Sequence, residues 1–220
     1  MVGNDICILA MAYLLGSVPF AYIVTKWLTG LDIREAGEGN VGARNVWHVV
    51  GPTWGALVAV LDVSKGFLAL QVARSLGASE VTLLWVGFAL LLGHGFPVFL
   101  RGRGGKGVAV TIGFLLGLLP LSTLAGLAIF ALAHLLFRDF NRSVNVGVAA
   151  IIFLPLAFGQ SPWMVLYVLS LFLWMGIKKM LDLPHEREVW ARSGWKGDAR
   201  PGWYHPEAEE KVYRNNHIRP

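Results

Sequence analysis

The sequence predicts an all-α membrane protein of about seven transmembrane helices, with its N-terminus outside and its C-terminus in the cytoplasm. Three observations lead there. Only 15% of the 220 residues are charged and 55% are hydrophobic, whereas soluble domains carry about a quarter charged residues. Apolar stretches recur at lengths near the roughly 20 residues that a bilayer crossing requires. Basic residues crowd into alternate connections, and Lys and Arg mark the cytoplasmic side.

The first apolar run, 5–28, lacks a basic leader and exceeds a cleaved signal in length, so it reads as a retained helix. Further spans follow at 52–74, 81–100, 107–121, 122–137, 144–158 and 161–178, the fourth to sixth short and oblique. Pro120 marks a tight turn between the fourth and fifth. Lys26, Arg34 and Arg44 follow the first span; Arg101, Arg103 and Lys106 the third; Arg138 and Arg142 the fifth; Lys178 and Lys179 the last. The opposite connections carry only Arg74 and Glu80. Residues 1–180 therefore read as one polytopic membrane domain and 181–220 as a cytoplasmic, partly interfacial tail. Trp190, Trp195, Trp203 and Tyr204 in that tail suit the headgroup layer.

Composition also excludes function classes. Cys7 is the only cysteine, so neither an intramolecular disulfide nor a Cys-based zinc site fits. The net charge of +5 is spread over loops rather than gathered on one solvated face, which argues against nucleic acid as a partner. Membrane lipids are the expected surroundings.

Two predicted inside loops fit G-x-G-x-x-G, namely Gly37-Glu38-Gly39-Asn40-Val41-Gly42 and Gly102-Arg103-Gly104-Gly105-Lys106-Gly107. A dinucleotide site needs a preceding strand in a βαβ unit, and each loop here follows a membrane helix. The second loop is no Walker A, since Leu100 stands at its first glycine and Gly107 at its Ser or Thr. Glycines nonetheless let backbone N–H groups converge on an anion, and a helix opening at Gly107 adds its positive end. Lys106, Arg101 and Arg103 supply cations, so this loop reads as a phosphate cradle formed by Arg103, Gly104, Gly105, Lys106 and Gly107. For the first loop, with Gly37, Gly39 and Asn40, a cradle and a plain turn fit equally.

Ionisable residues inside membrane spans face a bundle interior or a cavity. Asp62 and Lys65 share a helix face at i,i+3, as substrate-facing groups or as a self-neutralising pair. His94 reads as a substrate contact or a hydrogen-bonded core histidine. Asn40 and Asn45 either bind substrate oxygens or cap a helix, while Ser17 and Pro19 shape helix packing.

Four stretches together resemble the acyl-phosphate-dependent glycerol-3-phosphate acyltransferases of bacterial membranes. They are Gly16-Ser17-Val18-Pro19-Phe20, Gly37 to Gly51, Leu61-Asp62-Val63-Ser64-Lys65-Gly66, and Gly93 through Gly113. Most specific is His94-Gly95-Phe96-Pro97-Val98-Phe99 followed by Gly104-Gly105-Lys106-Gly107-Val108-Ala109. The resemblance implies seven helices with an external N-terminus, and acyl transfer from a fatty acyl phosphate to the 1-hydroxyl of glycerol 3-phosphate. The products would be lysophosphatidic acid and phosphate, without metal, coenzyme A or acyl-carrier protein. It implies a multi-pass protein of the bacterial cell (inner) membrane, with the active site on the cytoplasmic side.

Lys106, Asn40, Asn45 and His185 carry over from the family's pattern. Glu38 stands for its usual Ser, Arg44 for Thr, His48 for Arg, and Glu188 for the Asn of His–x–x–Asn. A dianionic phosphate is best held by the planar fork of Arg, so the acceptor site is expected to be rebuilt. Arg44, one helical turn before His48, can supply a guanidinium, and Glu38 can pair with it or bind a hydroxyl-rich or cationic acceptor. The catalytic candidates are Lys106, His185, Glu38 and His48; the last three, or a substrate phosphate oxygen, compete as general base. The alternatives are an acyltransferase with another small acceptor, and a non-catalytic lipid-phosphate binder or transporter.

Overall fold

In a computed structural model, which describes residues 2–193, the chain is helical throughout its ordered elements. Six helical segments are long and apolar enough to cross a membrane: Gly3–Thr29, Pro52–Ser75, Glu80–Leu100, Pro120–Phe137, Phe140–Ala157 and Pro162–Ser193. The fourth expected span is shorter than the sequence reading made it. It contributes helix Val108–Leu118, whose 11 residues rise only about 16 Å.

The first span is broken into α1 (Val2–Ser17) and α2 (Phe20–Thr29). Pro19 has no N–H to continue α1, and Gly30, at φ 74°, ends α2 in the left-handed region with its N–H on Lys26 O. A 3-10 turn, Ile33–Glu35, and the short α3 (Ala43–Val49) precede α4 (Pro52–Ser75). Ser79 caps α5 (Glu80–Gly95) by accepting from Thr82 N at 3.1 Å. The chain then passes a 3-10 turn, Val98–Leu100, to α6 (Val108–Leu118), α7 (Pro120–Phe137) and α8 (Phe140–Ala157). Asp139 caps α8 through Arg142 N, so α8 begins before the predicted 144.

Helix α9 (Pro162–Ser193) runs 32 residues and continues through Pro184. The division drawn at residue 180 therefore falls inside a helix rather than at an element boundary. Trp190 lies on this extension, whereas Trp195, Trp203 and Tyr204 lie outside the described residues.

Lipid offers no hydrophobic drive for helix association, so close backbone approach matters. A Cβ on Gly66 of α4 would stand 2.1 Å from Val110 O of α6, and one on Gly113 of α6 would stand 1.8 Å from Val63 O. Only glycine permits these contacts. Leu70, Val86, Leu90, Leu115, Val168 and Leu171 form the central core. A second cluster of Ile33, Val41, Val46, Val49, Val58 and Leu100 lies under the first glycine loop. Outward-facing Ile6, Val60, Leu135, Phe153 and Leu173 are exposed, as on a lipid-facing surface.

The two ends of the bundle differ. At one, Asn4 Nδ2 donates to Leu76 O at 3.2 Å and Thr82 Oγ1 to Asp5 Oδ1 at 2.9 Å, which ties the start of α1 to the α4–α5 turn. At the other, the loops after α2 and α5 meet the C-terminal part of α9. The start of α1 and the end of α9 therefore lie at opposite ends.

Candidate functional site

Asn45 organises the first glycine loop. Its buried amide donates to the carbonyls of Ile33 (3.0 Å), Ala36 (3.0 Å) and Asn40 (2.9 Å), and its Oδ1 accepts from Glu38 N at 2.8 Å. Every polar atom of that side chain is thus engaged with the loop's backbone, and a side chain so spent is placed to hold a shape. Gly37 and Gly39 lie at φ 57° and 74°, which other residues adopt only with strain. Asn40 Nδ2 reaches Glu38 Oε2 at 3.5 Å.

Glu38 is buried, and its carboxylate gathers the basic groups of α3. Arg44 Nε lies 3.3 Å from Oε1 and His48 Nε2 lies 3.5 Å from the same oxygen. The expected Glu38–Arg44 pairing is therefore present. Arg44 also stacks over Phe140, 5.0 Å from the ring centroid, and donates to Asn141 Oδ1 at 3.2 Å. These contacts tie the loop to the start of α8.

The second loop folds back on the end of α5. Gly104 N donates to Gly95 O at 3.1 Å and Gly105 N to His94 O at 3.0 Å. A Cβ on Gly104 would stand 2.0 Å from His94 O, and one on Gly105 2.3 Å from Val41 O and 2.4 Å from His94 Nε2. These two glycines serve backbone packing. The cradle expected over Gly104–Gly107 narrows accordingly, because two of its N–H groups already bond carbonyls. Gly107, at φ 94°, opens α6, and the first-turn N–H groups of Val108, Ala109 and Val110 have no acceptor within the helix. Lys106 stands beside this turn with its side chain 23% exposed and Nζ 2.7 Å from Glu186 Oε1 of α9.

Below the loops, Lys65 pairs with Asp62. Its ammonium lies 2.9 Å from Asp62 Oδ1 and donates to Gly16 O (3.2 Å) and Val18 O (2.9 Å). It also meets His94 Nδ1 at 3.1 Å. An ammonium only donates, so Nδ1 accepts and Nε2 carries the proton on the side of Gly105. Lys65, held by Asp62 and His94, thus caps carbonyls at the break between α1 and α2. Beside it is a shallow cleft lined by Ser17, Phe20, Val41, Asp62, His94 and Pro97.

His185 lies on the first loop's approach, Nε2 2.9 Å from Arg34 O and 3.7 Å from Glu35 Oε1. Glu35 also collects Arg192 at 2.7 Å and Arg103 at 4.0 Å. Arg34 holds Asp32 through Nη2–Oδ2 at 2.6 Å. Burial pushes the Asp32 carboxyl up, but the hydrogen bonds and charge of Arg34 outweigh it and hold the group below the ordinary carboxylate value.

The sequence reading missed Glu186, Asp182 and Glu35, and counted Lys178 only as an inside charge. Lys178, Asp182 and Glu186 recur every four residues along the inward face of α9, and Lys178 pairs with Asp182 beneath Phe96. That spacing was a usable signal, had α9 been extended past the two lysines.

The sequence model of the glycerol-3-phosphate acyltransferase family matches residues 6–182. The chain belongs to that family. A glycerol-3-phosphate acyltransferase of Pseudomonas paraeruginosa (strain DSM 24068 / PA7) is 39% identical over 181 residues, 81% of this chain and 95% of that one. One from Geotalea daltonii is 40% identical over 151 residues, covering 69% and 77%. Among solved structures, the glycerol 3-phosphate form of PlsY, an integral membrane glycerol 3-phosphate acyltransferase, superposes with a TM-score of 0.73 at 29% identity. It covers 84% of this chain and 93% of PlsY. The lysophosphatidic acid form gives 0.70 at 26% identity with the same coverage. This glycerol-3-phosphate acyltransferase is therefore a multi-pass membrane enzyme of phospholipid synthesis.

Proposed function

We propose that the enzyme moves a fatty acyl group from acyl phosphate to the 1-hydroxyl of glycerol 3-phosphate at the loop-rich, cytoplasmic end of the bundle. The hydroxyl oxygen attacks the acyl carbon, the bond from that carbon to the phosphate oxygen breaks, and the hydroxyl proton ends on the departing phosphate. Lysophosphatidic acid and phosphate leave. One observation carries the reading: Lys106 stands at the opening of α6, where a cation and unpaired N–H groups serve one anion.

Lys106 and the first turn of α6 hold the donor phosphate and neutralise it as a leaving group. Acyl phosphates are already reactive, so alignment of the hydroxyl supplies much of the acceleration. Arg44 and His48, gathered by Glu38, receive the acceptor. Asn45 shapes that pocket and Asn40 lines it. The phosphate oxygen of the donor takes the proton, since His185 lies on Arg34 O and Glu38 lies between two bases. Asp62, Lys65 and His94 support the second loop from beneath.

The orientation is N-terminus outside. Arg34, Arg44, Arg103 and Lys106 lie on connections at one end and Arg142 on the first turn of α8 beside them, as the positive-inside tendency requires. Helix α6 traverses despite its length, because Arg74 from the far end of α4 donates to Gly117 O at 3.0 Å and satisfies a terminal carbonyl. That makes seven passes, in a bacterial cell membrane.

The test is purified protein in a lipidic medium with palmitoyl phosphate and glycerol 3-phosphate, reading phosphate and lipid product together. Stoichiometric phosphate and lysophosphatidic acid are expected. Phosphate without that lipid would overturn the acceptor assignment and favour another acceptor, in keeping with Glu38 among the bases.

A further inference from the structure

Glu186 is 1% exposed, yet neither of its oxygens receives a well-angled hydrogen bond. Among the described residues Lys106 is the one cation paired with it, at 2.7 Å. The first loop closes over it from the other side, since a Cβ on Gly39 would stand 3.4 Å from Glu186 Cα. Isolated carboxylates are costly to bury and persist when paired. The pair is lopsided: the carboxylate is enclosed while the Lys106 side chain is 23% exposed. An ammonium has three donors, so Lys106 is anchored from inside and still open to a ligand outside.

We propose that Glu186 is a positioning residue for phosphate transfer, which aims Lys106 and limits how tightly that ammonium holds phosphate. The inference rests on the assignment of Lys106 to the donor phosphate. A dianion arriving at Lys106 meets a cation partly neutralised by a carboxylate that water cannot reach to screen. Donor and released phosphate are both dianions, so the opposing charge weakens both. Uniform binding energy lowers KM without raising kcat, so weaker retention costs the chemical step nothing and speeds release of phosphate.

The experiment is steady-state acyl transfer with inorganic phosphate as product inhibitor, on wild type, Glu186→Gln, Glu186→Met, Glu186→Asp and Lys106→Ala. Thermal unfolding in detergent checks each fold. In Glu186→Gln, the inhibition constant of phosphate and the KM for acyl phosphate should both fall about tenfold, with kcat reduced. Glu186→Met buries no polar group and should behave alike, and Glu186→Asp should restore wild-type inhibition. Unchanged or weaker phosphate inhibition in a folded Gln or Met variant overturns the inference. If Lys106→Ala inhibits as wild type does, the phosphate-site reading itself fails. If Lys106→Ala loses phosphate inhibition while the Glu186 variants keep it, only the role of Glu186 fails.

Discussion

The two glycine loops share the spacing G-x-G-x-x-G and turn opposite faces to the solvent. In the first, the side chains look inward: Asn45 binds four backbone groups and Glu38 gathers Arg44 and His48. Trp190 Nε1 closes the loop by donating to Glu38 O at 3.0 Å. In the second, the backbone looks inward, with the N–H groups of Gly104 and Gly105 on carbonyls of α5. What remains at its mouth is Lys106 and the start of α6. A glycine pattern thus encodes how closely a backbone can turn and pack. On the function we propose, the ligand chemistry resides in the side chain the glycines frame.

The comparison breaks most visibly at Lys106. Lys106→Ala should lower kcat/KM by about a hundredfold or more without loss of the fold, read by steady-state kinetics beside thermal unfolding. Wild-type turnover would put phosphate elsewhere. The mirror experiment is Asn45→Ala, which strands three carbonyls and one N–H in a buried loop. It should cost about 2–4 kcal/mol of stability and weaken acceptor binding more than donor binding. An unaltered unfolding midpoint would mean that the loop holds its shape without that amide.

His48→Arg sharpens the comparison further. A permanent guanidinium beside Glu38 should lower the KM for glycerol 3-phosphate several-fold and leave that for acyl phosphate unchanged. An equal change in both would merge the two sites into one. The smallest effect concerns the turn at Ile33–Glu35. The Asp32 carboxyl is held below its ordinary value by Arg34, so its contribution to stability is present above that value. It is lost as the pH falls through the lowered one. An acid titration of unfolding should show this step in wild type and lack it in Asp32→Asn.

Much of this was legible from composition and punctuation. Helices begin at Pro52, Glu80 and Pro120, within two residues of the span starts expected at 52, 81 and 122. The sequence singles out Lys106 as a lysine between glycines before an apolar helix, and the fold pairs it with buried Glu186. Asn45 was not legible, because an asparagine bonding four backbone groups looks in sequence like one that binds substrate. The extension of α9 was hidden by Lys178, Lys179 and Pro184, each of which reads as a helix end. In the fold Lys178 is neutralised by Asp182. Glu186 escaped with it, since its spacing of four from Asp182 and eight from Lys178 is readable only once the helix is carried past Pro184. The fourth span, expected to be short at 107–121, proved shorter still, with only 11 helical residues.

The most direct test is a structure of the protein in lipid with a non-hydrolysable acyl phosphonate bound. The phosphonate oxygens should lie within hydrogen-bond reach of Lys106 Nζ and the first-turn N–H groups of α6, with the first loop unchanged around Asn45. A phosphonate seated on Arg44 and His48, with Lys106 engaged by Glu186 alone, would contradict the division of labour between the two loops.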